Sequence, residues 1–150
     1  MFDEILGLPA HPLIVHAAVV LTPLLCLLAL GYALAPRFRP MAAWAVAALA
    51  VIVPATVFAA KQSGEALERA RFASADGVLA QRIEVHQSFA TPLLYAALGL
   101  GVSALLMVFA GRRDKRLQLV FSATTVVLAA VAGYYVFRAG DSGARAVWGL

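Results

Sequence analysis

The sequence predicts an all-α fold, a four-helix transmembrane bundle whose second and third helices extend into an outer helical hairpin. Three observations predict it. Residues 13–34, 41–60, 87–110 and 117–137 contain no Asp, Glu, Lys or Arg, and each run has about the ~20 residues a helix needs to cross a bilayer. Of the 150 residues, 63% are hydrophobic and 13% charged, whereas soluble domains have ~45–50% and ~25%. The basic residues cluster: Arg37 and Arg39 lie between the first two runs, and Arg112, Arg113, Lys115 and Arg116 between the last two. A soluble enzyme, a nucleic-acid binder and a disordered tail are excluded, and residues 1–150 are expected to form a single integral membrane domain in a lipid bilayer. The basic balance, net charge +4, sits in short turns between apolar runs and is no nucleic-acid footprint.

The first run follows Pro9-Ala10-His11-Pro12, which sets Pro12 near the first helical position, where its missing N–H costs little. The charges preceding this run are Asp3 and Glu4. A signal peptide needs a basic n-region there, so the run is expected to be a retained helix. Pro23, Pro54 and Pro92 fall within the first three runs, as membrane helices tolerate. Cys26 lies inside the first run and is the single cysteine, so it is expected to be a small apolar packing residue.

Residues 61–86 read as more than a loop. Glu65 and Arg69 stand four apart, as helical ion pairs do, and S-A-D-G at 74–77 signals a turn. Leu79, Ile83, His86 and Ala90 then form one helical stripe. Pairing the two helices about a turn near residue 75 predicts that His86 lies level with Glu65. In the fourth run Gly133 and Gly140 share a face and could admit a close neighbour, as could Ala97 and Gly101 in the third.

Short basic loops remain in the cytoplasm. The two arginine-rich turns are therefore expected inside, and both termini and the 61–86 hairpin outside. Of the eight acidic residues, only Asp114 falls on the inner side. All three histidines, His11, His16 and His86, then belong to the outer ends, together with Glu65 and Asp141.

Ionisable groups at membrane depth are costly and usually face the bundle interior. His16 interrupts an apolar stretch, and His86 opens the third run on an apolar stripe. This pair is the expected cofactor-binding site, as axial ligands of haem b. With Glu65 or Asp141 added, the set would instead suit a divalent metal ion. His11 is the weak member: five residues from His16, it lies ~140° around a common helix. The competing reading is a hydrogen-bonded polar cluster without cofactor. G-x-S-x-G, Walker A, H-E-x-x-H and C-x-x-C motifs are all absent from the sequence, which gives no ground for an enzyme.

The opening L-P-A-H-P-L-I-V-H (8–16), the S-G-E after the second run, the His at the start of the third, and the G-x-x-G-A-x-x-V-W tail (140–148) together resemble the bacterial four-helix membrane family catalogued as domain of unknown function 2231. The resemblance covers essentially the whole chain. It implies a four-span protein of the bacterial inner (cell) membrane with no established activity. Members often follow V-H with Phe-Pro and end in Tyr-x-His-Gly, where this chain has Ala17-Ala18 and Trp148-Gly149-Leu150. The functional expectation is a redox-accessory protein with an outward-facing histidine site, in a homo-oligomer or a larger membrane complex. The alternative is a structural accessory subunit without cofactor.

The orientation is testable by labelling intact cells with a membrane-impermeant thiol reagent. Asp76→Cys should be labelled and Asp114→Cys protected; the opposite pattern would invert the topology.

Overall fold

The computed structural model describes residues 4–5, 8–110 and 113–149. Two short strands, β1 (Glu4–Ile5) and β2 (Leu8–Pro9), form an antiparallel ladder. Four helices follow: α1 (Ala10–Leu34), α2 (Arg39–Leu67), α3 (Gly77–Phe109) and α4 (Lys115–Trp148). All four are long and apolar enough to cross a membrane. The four-span all-α bundle expected from the charge-free runs is the observed fold. α1 packs on α2 and α4, α3 packs on the same two, and α1 and α3 scarcely touch. The bundle is thus a square with α1 and α3 on one diagonal.

Each connection has a local cause. Between α1 and α2, the Arg39 guanidinium donates to the Tyr32 and Ala33 carbonyls at 3.0 and 3.2 Å. It neutralises the carbonyl end of α1. α2 continues through a π-helical turn, Glu68–Phe72, before the chain reverses at Gly77, whose φ of 58° suits glycine. α3 alone has 33 residues, or ~50 Å at ~1.5 Å per residue, longer than a ~30 Å hydrocarbon core. α4 starts on Asp114, whose carboxylate accepts from the Arg116 backbone N–H at 2.7 Å. It ends on Gly149, at φ 70°. There Arg82 of α3 donates to the Arg145 and Gly149 carbonyls at 3.2 and 3.1 Å.

The helical hairpin is present, and its register falls within about one turn of the equal-height estimate. Gln87 donates to the Glu68 carboxylate at 2.5 Å. Glu68, rather than Glu65, therefore reaches the residue next to His86. The π-helical turn, which the estimate did not include, lengthens the α2 arm.

The core consists of small and branched residues, including Ala18, Leu25, Ala29, Val53, Val57, Ala97, Leu100 and Ala132, all buried. Nearer the arginine-rich turns it continues through Tyr32, Val46, Ala104 and Met107. Many large apolar side chains face outward instead, among them Val20, Leu27, Trp44, Val51, Tyr95, Val102 and Phe137. Water would penalise so much exposed apolar surface, and lipid does not. Helices approach closely at Gly101, where a Cβ would lie 2.4 Å from the Ala50 carbonyl oxygen. Gly133 and Gly140 have nothing within 4 Å of an added Cβ, so of the two small-residue faces the one in the third helix makes the close approach.

Candidate functional site

The end of the bundle that carries the histidines is built from one arrangement used twice. His11, in the first turn of α1, directs Nδ1 to the Ala60 carbonyl oxygen at 3.0 Å and to Ser63 Oγ at 3.1 Å. His86, in α3, directs Nδ1 to Ser142 Oγ at 3.1 Å. Ser63 and Ser142 each donate to the carbonyl three residues earlier, Ala60 at 2.9 Å and Ala139 at 3.1 Å. The next residue in each case is glycine. A Cβ at Gly64 would come within 3.0 Å of the His11 ring, and one at Gly143 within 3.0 Å of the His86 ring. Each imidazole therefore rests against a bare α-carbon. Both serines are buried. The two A-x-x-S-G segments, 60–64 and 139–143, give the α1–α2 and α3–α4 hairpins equivalent seats.

These contacts favour one tautomer. The Ala60 carbonyl oxygen only accepts, so the His11 Nδ1 that faces it carries the ring proton. With the Ser142 proton on the Ala139 carbonyl, His86 Nδ1 is the donor to Ser142 Oγ. Nε2 is left unprotonated, with a free lone pair. Metal-binding histidines are commonly held this way, one nitrogen donating to a fixed acceptor and the other free to ligate. The two ring centroids are 6.3 Å apart, with ring planes at 71°.

His11, not His16, is the partner of His86. His16 is exposed, and its Nδ1 donates to the Pro12 carbonyl of its own helix. The reason is helix phase. His11, Ala18, Leu25 and Tyr32 recur every seven residues on the inward stripe of α1, where the last three are buried. His16 shares the opposite register with Val20, Leu27 and Leu34, all exposed. The expected shared cavity of His16 and His86, with His11 further out, is therefore corrected: the inner pair is His11 and His86.

The two candidate carboxylates point to partners on their own helices. Glu65 is ion-paired with Lys61, and both Asp141 carboxylate oxygens share the one N–H of Arg145 Nε at 3.0 Å. Among the described residues, no group of three or more His, Cys, Asp or Glu is placed to hold a metal ion. An open depression of about 510 Å³ lies at the hairpin, and its lining includes Glu68, Glu84 and Gln87.

Both inner histidines lie just beyond the charge-free runs. Burial lowers the pKa of His11 below the usual 6.5. The Ala60 carbonyl opposes this, and the charge of His86 adds to it. Burial likewise lowers that of His86, against the Ala139 carbonyl. The fold thus favours two neutral imidazoles.

These features define a class: a four-span membrane bundle carrying a duplicated, tautomer-fixed histidine pair at one end. Residues 7–150 match the family described as "Predicted membrane protein (DUF2231)", and the chain belongs to that family. No curated protein and no solved structure matches the chain.

The depressed pKa values set a direction for acid stability. Groups that bind protons less tightly when folded stabilise the fold above their unfolded pKa, about 6.5 for histidine, and lose that contribution as pH falls through the folded value. The melting temperature in detergent should be level above pH ~6.5 and decline below it. His11→Gln and His86→Gln should each flatten the decline. A wild-type profile that rises on acidification would contradict the buried neutral pair.

Proposed function

We propose that this protein is a redox-accessory membrane protein whose functional centre is a metal held between Nε2 of His11 and Nε2 of His86. The metal is either the iron of haem b or a bare transition-metal ion. One observation carries the reading: two imidazoles, each with Nδ1 committed to a serine, stand with centroids 6.3 Å apart. Two imidazoles on opposite sides of one metal, with metal–nitrogen bonds of ~2.0–2.1 Å, would have centroids ~6.4 Å apart. His16 lies outside the proposed centre. Glu65 and Asp141 would act around it electrostatically rather than as ligands.

The proposed setting is the bacterial inner membrane, with residues 1–150 as a single integral membrane domain and both termini outside. The crowding of Lys/Arg into the two short turns supports this orientation. A redox role implies a partner in a homo-oligomer or a larger membrane complex.

A second reading has support of its own. The carboxylates engage Lys61 and Arg145 rather than the imidazoles. The clasp could then serve only to lock the helix ends of a structural subunit. The absorption spectrum and metal content of the purified protein separate the two. A Soret band, or about one metal per chain, is expected, lost in His11→Gln and His86→Gln and retained in His16→Gln. Folded wild-type protein that is colourless and metal-free would overturn the metal centre and leave the structural clasp.

A further inference from the structure

Building on that proposed metal centre, we infer that the His11–His86 pair is a two-coordinate, all-imidazole site selective for a monovalent d¹⁰ cation, copper(I), over divalent ions and haem. The first ground is angular. With metal–nitrogen bonds of ~2.0–2.1 Å, two imidazoles at a tetrahedral angle would have centroids ~5.2 Å apart, and in a linear arrangement ~6.4 Å. The observed 6.3 Å, with ring planes at 71°, matches the linear spacing rather than the tetrahedral one. Equivalent Ser–Gly supports hold each ring in this position.

The second ground is ligand number. Zinc takes four ligands, and other divalent first-row ions take four to six. The described residues bring two nitrogens together and no third donor of the His, Cys, Asp or Glu type. A linear copper(I) ion is complete with two nitrogens and sheds its water on binding. Charge works in the same direction. The cost of burying an ion grows as the square of its charge, so a monovalent ion pays about a quarter of the divalent cost.

The third ground favours the bare ion over haem b among the two metals proposed above. A porphyrin needs room between the hairpins. Beside His86, α3 is tied to the α2 arm by the Gln87–Glu68 hydrogen bond at 2.5 Å. Just below, Ile14, Val57, Ala60, Leu93 and Val136 pack in one cluster. A bare ion requires no parting of these contacts. Glu68 and Glu84 line the hairpin depression with Arg69, so the charged side chains of that lining sum to −1.

The test uses the full-length apo-protein in detergent, titrated anaerobically with copper(I) from a chromophoric chelator and, in parallel, with Zn²⁺ and with hemin. One copper(I) per chain is expected, with X-ray absorption giving two nitrogen neighbours at ~2 Å and no third. His11→Gln and His86→Gln should abolish binding, and His16→Gln should not alter it. Ser63→Ala and Ser142→Ala, which release the ring proton from its fixed acceptor, should weaken binding ~10–100-fold. Circular dichroism and gel filtration check the fold of each variant, and the wild-type titration depends on none of them. Three- or four-coordinate copper, or preference for Zn²⁺ or hemin, would overturn this inference while leaving the metal centre standing. Wild-type protein that binds none of the three would overturn both.

Discussion

The histidine end of this bundle depends on a short relay of protons: imidazole Nδ1–H to serine Oγ, and serine O–H to the carbonyl three residues earlier. It occurs once in each hairpin, through His11–Ser63–Ala60 and His86–Ser142–Ala139. The relay satisfies the buried serine, which would otherwise cost ~1–3 kcal/mol as an unpaired hydroxyl. It also fixes the imidazole as the Nδ1–H tautomer and so decides which ring nitrogen remains free. Gly64 and Gly143 allow the rings to lie against the helices that carry the serines. Replacing either glycine would move the ring that the relay orients.

Everything below the relay holds the two hairpins in place. The apolar core stacks small residues at the helix crossings, with Gly101 close against the Ala50 carbonyl. In lipid there is no hydrophobic force between helices, so such close packing is a main source of association. At the opposite end Arg39 caps α1, and at the histidine end Arg82 caps α4. Both cations also help fix the ends of the elements that carry the clasps.

The bundle was legible in the sequence because the bilayer imposes a length and forbids charge. The four charge-free runs become four helices, and the S-A-D-G signal marks the reversal before Gly77. The site was half legible. His86 was found because Leu79, Ile83 and Ala90 share its stripe. His11 was passed over for His16, which looked more anomalous inside an apolar stretch. In lipid an apolar neighbourhood does not mean an inward face, since Val20 and Leu27 are apolar and exposed. The heptad of small or buried positions running from His11 through Ala18 and Leu25 carried the missing information. So did the repeated A-x-x-S-G segments, whose spacing along the chain differs between hairpins and so escapes a search for a fixed period. The π-helical turn at Glu68–Phe72 has no comparable signal, because nothing in E-R-A-R-F distinguishes it from ordinary helix.

The fixed tautomers are the central physical claim, and ¹⁵N NMR of the histidine rings reads them directly. In protein labelled at histidine and held at neutral pH without added metal, His11 and His86 should each show a protonated Nδ1 and an unprotonated Nε2, assigned by loss of the signals in His11→Gln and His86→Gln. Nε2-protonated rings, or rings averaging freely between the two tautomers, would contradict it.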